Sequence, residues 1–96
     1  MTVTISASVG SGCMNNNSDV KKIQMGLNEL PRHWGGPFPK LVTDGNCGTL
    51  TTGAIENLQR WQFGWQDGKI SPGGVTLQRI NDMLASGEKP GSPDDI

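Results

Sequence analysis

The chain contains no tyrosine and a single histidine, His33, and its aromatic residues are three tryptophans and two phenylalanines. A structural zinc site needs four Cys, His or acidic ligands, and a catalytic zinc site needs three. The two cysteines, Cys13 and Cys47, form no C-x-x-C pair, and one histidine cannot build an H-x-x-x-H motif. We therefore predict that the protein has no metal and no other cofactor.

Long apolar runs and basic clusters are also missing. No stretch approaches the about 20 apolar residues that a transmembrane helix needs, and the first residues lack the charged start and apolar block of a signal peptide. The net charge is −1, and the eight Lys and Arg residues are scattered. These patterns disfavour a membrane or a nucleic acid as the partner.

Catalytic constellations are equally scarce. A nucleophilic pair of Cys47 and His33 is disfavoured, because Cys47 stands between turn glycines, where its side chain is expected to face the core. The carboxylates that could support glycoside hydrolysis have simpler explanations as turn or solvent-facing residues: Asp44, Glu56, Asp67 and Asp82. The "GSG" at 10–12 lacks the context of a phosphate-binding loop. We predict that the chain is not an enzyme.

What is present is helical periodicity. Apolar residues recur every three or four positions and predict helices near 19–30, 50–62 and 73–85, with Ser18 or Asp19 capping the first. The fold class predicted is all-α, a compact three-helix bundle with long irregular loops and an extended N-terminal segment. The residues on the predicted inner faces are Val20, Ile23, Leu27, Leu30, Ala54, Ile55, Leu58, Trp61, Leu77, Ile80 and Leu84.

Composition divides the chain into three parts. Residues 1–18 are predicted to be an extended lead-in that packs on the domain or precedes it, and residues 19–86 are predicted to form the domain. The acidic, proline-containing stretch 87–96 is predicted to be a flexible tail or linker. Within the domain, 31–43 is rich in proline and glycine and reads as a loop, with Leu41 and Val42 held against the core.

An internal repeat explains the most unusual stretch, "DGNCGTLTTGAIENLQRWQ". Asp-Gly at 44–45 is followed by G-x-x-T-x-x-x-I at 48–55, and Asp-Gly at 67–68 is followed by the same pattern at 73–80. Glycine permits positive φ and Asp stabilises turns. Each copy therefore predicts a turn that leads into a helix.

These segments resemble the peptidoglycan-binding domain family that accompanies bacterial and phage cell-wall hydrolases. The first family segment is roughly D-V-x-x-L-Q-x-x-L, and the second is D-G-x-F-G-x-x-T-x-x-A-V-x-x-F-Q. The positions that match are Asp19, Val20, Ile23, Gln24, Leu27, Asp44, Gly45, Gly48, Thr51, Ala54, Ile55 and Gln59. The likeness covers about residues 19–85. Cys47 replaces the usual Phe, and the 31–43 loop is longer than is typical.

The resemblance implies a compact three-helix domain that binds peptidoglycan, through glycan or stem peptide, and has no catalytic activity. It implies that the module holds an attached or associated hydrolase or secreted effector on the bacterial wall. The expected location is then the periplasm, the cell wall or the outside of the cell. The alternative is a protein-docking module for a secretion component or effector on the same fold. Gln24 and Gln59 are interpreted as structural residues that bond loop backbone.

The predicted ligand contacts lie around the two Asp-Gly turns, where backbone and indole groups are exposed. They are Trp34, Asp44, Asn46, Arg60, Trp65 and Asp67. A disulfide between Cys13 and Cys47 is also predicted, because a small domain with a limited core gains stability from closing a long loop. Two buried free thiols are the alternative.

Overall fold

Three helices and one pair of very short strands make up the computed structural model, which describes residues 1–86. The elements in chain order are β1 (Val9–Gly10), α1 (Asn17–Asn28), a 3-10 turn (Arg32–Trp34), α2 (Thr49–Phe63), β2 (Lys69–Ile70) and α3 (Val75–Ala85). The predicted tail at 87–96 lies outside the described residues.

The helices lie where the apolar periodicity predicts them, with ends that shift by one or two residues. The predicted cap of α1 is wrong, because the helix begins at Asn17 and its N-cap, Asn16, makes no side-chain capping bond. Asp19 lies inside the first turn, where its carboxylate bonds the N-terminal segment instead. α2 ends at Phe63, because its C-cap, Gly64, has a left-handed backbone; the Gly64 N–H donates to the Arg60 carbonyl.

The prediction of an all-α fold is corrected by the strand pair. β1 and β2 run antiparallel, with Val9 opposite Ile70 and Gly10 opposite Lys69. The pairing depends on Gly10, since a Cβ there would lie 1.9 Å from the Gly68 carbonyl oxygen and φ is +126°. Val9 and Ile70 are buried on the helices, so this two-residue ladder joins the N-terminal segment to the core. Strands of two residues are too short to show the alternation of apolar and polar residues from which a strand is predicted.

The core combines the inner faces of the three helices with the strands and the N-terminal segment. The prediction that Val42 and Trp61 pack in the core is wrong, because 74% of the Val42 surface and 59% of the Trp61 surface are exposed. Leu41 is half-buried against the core as expected. The buried apolar residues are Val3, Val9, Val20, Ile23, Leu27, Leu30, Ala54, Ile55, Leu58, Ile70, Leu77, Ile80 and Met83.

Polar side chains fasten the N-terminal segment to the helices. The buried Asp19 carboxylate accepts hydrogen bonds from the backbone N–H groups of Ser6 and Ala7 and from the Ser6 hydroxyl. The Asn81 amide of α3 accepts from the Val3 N–H at 2.7 Å and donates to the Val3 carbonyl at 2.9 Å. Residues 1–10 therefore behave as part of the domain. Within residues 1–86, none of the helices has the length and apolar character needed to cross a membrane.

Candidate functional site

The first Asp-Gly turn is built around the buried side chain of Gln24. Its amide nitrogen lies within hydrogen-bond distance of the Asp44 carboxylate (3.2 Å), the Asn46 carbonyl (3.1 Å) and the Thr51 hydroxyl (3.0 Å). Its carbonyl oxygen accepts from the Gly45 N–H at 2.9 Å. One glutamine on α1 thus holds the turn and the start of α2 together.

The second Asp-Gly turn repeats this arrangement around Gln59 of α2. The Gln59 amide nitrogen reaches the Asp67 carboxylate, the Lys69 carbonyl and the Thr76 hydroxyl at 2.8, 3.0 and 3.2 Å. Its carbonyl oxygen accepts from the N–H groups of Asp67 and Gly68. The interpretation of both glutamines as structural residues that bond loop backbone is confirmed. The sequence repeat therefore corresponds to a repeated hydrogen-bond unit.

A groove of about 780 Å³ opens beside the first turn. One wall is the loop that runs from Pro37 to Val42, and the other is the start of α2 from Gly48 to Thr51. Ala54 and Asn57, one and two turns further along α2, also line it. A volume in this range accommodates a small ligand.

Apolar side chains dominate the rim of the groove. Phe38, Val42 and Leu50 are 71%, 74% and 81% exposed, and all three line the groove. Large apolar side chains that gather at one concave surface indicate a binding surface more strongly than scattered ones do. The guanidinium of Arg32 lies over the Phe38 ring at 4.1 Å and holds a positive charge beside the rim.

Polar groups at the turn complete the groove. The Asn46 backbone N–H, followed by the Gln24 amide, lowers the pKa of the Asp44 carboxyl below its usual range. Asp44 is consequently ionised at neutral pH and places a negative charge on the groove, while Lys40 places a positive one. Asn46 is exposed. The groove therefore offers an apolar surface with one carboxylate, one ammonium group and amide groups that can orient a ligand.

The loop wall of the groove is held by an asparagine of α1. The Asn28 amide accepts from the Leu41 N–H at 2.8 Å and donates to the Leu41 carbonyl at 2.9 Å. These two bonds mimic a strand pairing and fix the backbone next to Val42. The groove is thus preformed by side chains of α1, not by the loop alone.

The structure separates the predicted ligand residues into groups. Asp44 and Asn46 lie on the groove. Trp34 is half-buried against the core, and its carbonyl accepts from the Gln62 amide. Arg60 lies in the last turn of α2, and Trp65 and Asp67 lie in the segment that follows the helix; none of the three lines the groove. The prediction missed Phe38, Val42 and Leu50.

Two of the missed residues carried a signal that could have located them. Leu50 lies two positions after Gly48 and outside the inner stripe of α2, so its apolar side chain needs another explanation. Phe38 lies between two prolines in a loop, where a large apolar residue is unusual. Val42 shows no such signal in the sequence. It is an apolar residue next to Leu41, which does pack on the core, and the sequence does not distinguish the two.

The predicted disulfide is not formed in the structure, where Cys13 and Cys47 are free thiols. Each sulfur has its own neighbour: Cys13 Sγ lies 3.6 Å from the Ser11 carbonyl, and Cys47 Sγ lies 3.6 Å from the Thr52 hydroxyl. Cys47 packs partly against the core.

Within residues 1–86, no cluster of three or more His, Cys, Asp or Glu side chains could hold a metal ion. Among the described residues that line the groove, Asp44 is the one carboxylate, and there is no histidine or cysteine. Its groups can orient a ligand through charge and hydrogen bonds and can desolvate an apolar part of it.

Comparisons with known proteins identify no relative. No protein-family model, no curated protein and no solved structure matches the chain.

Proposed function

We propose that this chain is a non-catalytic module that binds bacterial peptidoglycan and holds an attached or associated cell-wall hydrolase or secreted effector on it. The observation that carries the proposal is the groove beside the first Asp-Gly turn. It is preformed, rimmed by exposed apolar side chains and bordered by groups of both charges.

The resemblance to peptidoglycan-binding domains supports the ligand class. The residues that carry it include Gln24, Asp44, Gly45 and Thr51, which together form one hydrogen-bond unit next to the groove. The shared pattern therefore coincides with the residues that shape the groove wall. The location that follows is the periplasm, the cell wall or the outside of the cell.

The chemistry of the groove suits a wall fragment. Peptidoglycan combines amide-rich peptides, which carry amino and carboxyl groups, with small apolar side chains and acetamido groups. Asp44 and Lys40 provide one charge of each sign, and Leu50 and Val42 provide apolar contact. So few converging groups imply an affinity on the order of µM to mM. Rebinding along a repeating polymer makes such an affinity sufficient for anchoring.

Co-sedimentation with purified, insoluble peptidoglycan tests the proposal. The variant Leu50→Ser removes an exposed apolar side chain from the groove rim without touching the core. Its matched control is Val75→Ser, which changes the corresponding position of the second repeat unit, where 58% of the side chain is exposed.

We expect the wild-type chain and Val75→Ser to sediment with the wall and Leu50→Ser to remain largely in the supernatant. Equal sedimentation of both variants would show that the groove is not part of the surface that binds the wall. No sedimentation of the wild-type chain would refute wall binding.

A second candidate is a protein-docking module for a secretion component or an effector. The exposed apolar rim of Phe38, Val42 and Leu50 favours it, because such patches also serve protein interfaces. This alternative predicts that the wild-type chain fails to sediment with peptidoglycan. It also predicts that Leu50→Ser reduces co-purification with a protein encoded beside it.

A further inference from the structure

Three asparagine side chains hold the backbone of the domain in the same way. Each amide bonds both the N–H and the C=O group of one other residue. The pairs are Asn15 with Gly10, Asn81 with Val3, and Asn28 with Leu41. One amide reaches both groups only where they point to the same side of the chain, as they do in a strand. The N–H and C=O groups of the two flanking residues then point to the opposite side.

At Gly10 this opposite side is occupied by a strand. The preceding residue, Val9, lies opposite Ile70 in the antiparallel pair of β1 and β2. The following residue, Ser11, donates its N–H to the Gly68 carbonyl at 3.0 Å. The protein therefore shows, within its own chain, a segment that an asparagine holds on one side and a strand pairs on the other.

At Leu41 the corresponding side is open. The flanking residues are Lys40 and Val42, and both are exposed. Within residues 1–86, their backbone N–H and C=O groups have no hydrogen-bond partner. We call these four groups the open edge. Unpaired backbone groups along an extended segment are a template for pairing with another chain.

The side chains around the open edge favour a particular kind of strand. Val42 and the nearby Phe38 and Leu50 are exposed and apolar, so they can cover apolar side chains of a ligand. Lys40 lies between Phe38 and Val42, and the Arg32 guanidinium lies over the Phe38 ring. Within the described residues, neither cation is paired with a carboxylate. An acidic side chain on the added strand would match these charges.

The third asparagine pair lacks such surroundings. Val3 is buried, and the residues that flank it, Thr2 and Thr4, are polar and exposed. Neither threonine lines a groove among the described residues. This segment therefore offers backbone groups without an apolar surface, and it serves as an internal control.

We propose that the open edge of Lys40 and Val42 binds an extended segment of a partner protein as an added antiparallel strand. An acidic side chain of that segment lies opposite Lys40, and an apolar one lies opposite Val42. Main-chain bonds supply affinity in this mode, and alternate side chains supply specificity. The antiparallel direction follows the pairing of β1 with β2 and is the more stable one per residue.

This inference goes beyond the function proposed for the groove. It assigns a polypeptide ligand to main-chain groups of the loop, and it does not depend on wall binding. An associated hydrolase or effector is one class of protein that could carry such a segment.

The probe is the synthetic heptapeptide acetyl-TVTDTVT-amide, titrated into the 96-residue chain. Its valines and aspartate share one face, and its sequence is the same in both directions, so the aspartate can lie opposite Lys40 with a valine opposite Val42. We expect binding on the order of µM to mM. Amide hydrogen exchange should slow at Val42 and remain unchanged at Thr4.

Two methylated peptides test main-chain pairing directly. Methylation of the backbone nitrogens of both valines and the aspartate removes the donors that face the open edge. Methylation of three threonine nitrogens removes the same number of donors from the far edge and leaves the side chains unchanged. The first peptide should bind about tenfold more weakly than the unmodified one, and the second should bind as the unmodified one does.

Charge reversal tests the side-chain register. Lys40→Glu should weaken binding by about threefold to fivefold and should prefer, by a similar factor, a peptide with lysine in place of the aspartate. The matched control is Lys22→Glu, which reverses an exposed charge on α1 away from the groove lining. It should bind both peptides as the wild type does.

Replacing the asparagines tests the support of the edge. Asn28→Ala releases Leu41 and should weaken binding of the unmodified peptide, whereas Asn81→Ala releases Val3 and should leave binding unchanged. Amide dispersion reports whether each variant is folded. Lys40→Glu, which changes only an exposed side chain, decides if Asn28→Ala is not folded.

Equal affinities of the two methylated peptides, or unchanged exchange at Val42, would overturn the proposal. Self-association of the chain without peptide that slows exchange at Val42 would assign the open edge to a second copy and would also overturn it. A chain that binds the peptide but does not sediment with peptidoglycan refutes wall binding alone. A chain that sediments but does not distinguish the methylated peptides refutes strand addition alone.

Discussion

The two Asp-Gly turns share a hydrogen-bond frame and differ in what they support. Gln24 and Gln59 each bind the carboxylate, the glycine N–H and the following carbonyl of a turn, and each also bonds a threonine at the start of the next helix. The first turn opens onto a groove with an apolar rim. The second is closed by the N-terminal segment, since the Ser11 N–H bonds the Gly68 carbonyl at 3.0 Å.

This difference indicates that the repeated frame is structural and that the segments attached to it determine the surface beside each turn. The loop before the first turn is long and carries Phe38 and Val42, whereas the second turn is preceded directly by α2. Gly73 and Gly74, which precede α3, border only a small hollow of about 250 Å³. One frame therefore borders a groove in one copy and a β ladder in the other.

The strongest test of the shared frame is replacement of each glutamine by methionine, which keeps the volume but removes the polar groups. We expect Gln59→Met to lower the free energy of unfolding by about 3–4 kcal/mol and Gln24→Met by about 2–3 kcal/mol, because each leaves buried donors and acceptors unpaired. The larger value falls on Gln59, whose carbonyl serves two backbone N–H groups instead of one. Urea denaturation measures both. Losses below about 0.5 kcal/mol would show that the glutamines do not hold the turns.

Glycine-to-alanine substitutions distinguish the space available at the two turns. Gly45 and Gly68 have φ of +78° and +71°, so alanine is strained at both, by about 1–2 kcal/mol. At Gly45 a Cβ would also lie 2.3 Å from the Asn17 amide nitrogen, whereas at Gly68 its closest neighbour is a Thr52 methyl at 3.2 Å. We expect Gly45→Ala to be the more destabilising in thermal unfolding. Gly64→Ala is the control for backbone strain alone, because Gly64 has φ of +81° and an added Cβ would meet no atom within 4 Å. A greater loss of thermal stability in Gly64→Ala than in Gly45→Ala would contradict the proposed clash.

Acid should weaken the first turn and the N-terminal attachment. The Ser6 N–H is the main cause that lowers the pKa of Asp19, and the Asn46 N–H is the main cause for Asp44, each below the ordinary value of 3.8. Because the folded-state pKa is the lower one, the stabilisation is present above about pH 4 and is lost as the pH falls through the folded-state pKa. Urea midpoints measured from pH 5 to pH 2 should fall less steeply for Asp19→Asn and Asp44→Asn than for the wild type. An unchanged slope in both variants would contradict this origin of acid sensitivity.

The smallest effect is expected from the two threonines that complete the frame. Thr51→Val and Thr76→Val each remove one hydroxyl acceptor from a buried glutamine amide and should cost about 1 kcal/mol. The two losses should agree within about 0.5 kcal/mol if the frames are equivalent. Urea denaturation of the two variants measures these losses. A difference above about 1 kcal/mol between them would show that the two repeat units do not contribute equally to the free energy of unfolding.

The helices and the turns could be predicted from sequence because their signals are local. Apolar spacing located α1, α2 and α3, and the Asp-Gly repeat located both turns. The strand pair depends on residues 9–10 meeting residues 69–70, a contact that no local pattern encodes. Its main signal was Gly10, which reads equally well as part of a flexible loop.

The candidate site was predicted only in part for the same reason. Asp44 and Asn46 belong to a recognisable turn, so their place on the surface followed from the sequence. The groove also needs the loop at 37–42 to lie opposite the start of α2, and that depends on Asn28 bonding Leu41. An asparagine at the end of a helix gives no indication in the sequence of which loop it will hold.

The most direct test of the central claim is a titration of soluble peptidoglycan fragments into the wild-type chain and into Leu50→Ser and Val75→Ser, followed by amide chemical shifts. The groove proposal predicts shifts clustered in residues 37–51 for the wild type and Val75→Ser, and their loss in Leu50→Ser. Shifts confined to the outer faces of the helices, or shifts at 37–51 that persist unchanged in Leu50→Ser, would contradict it.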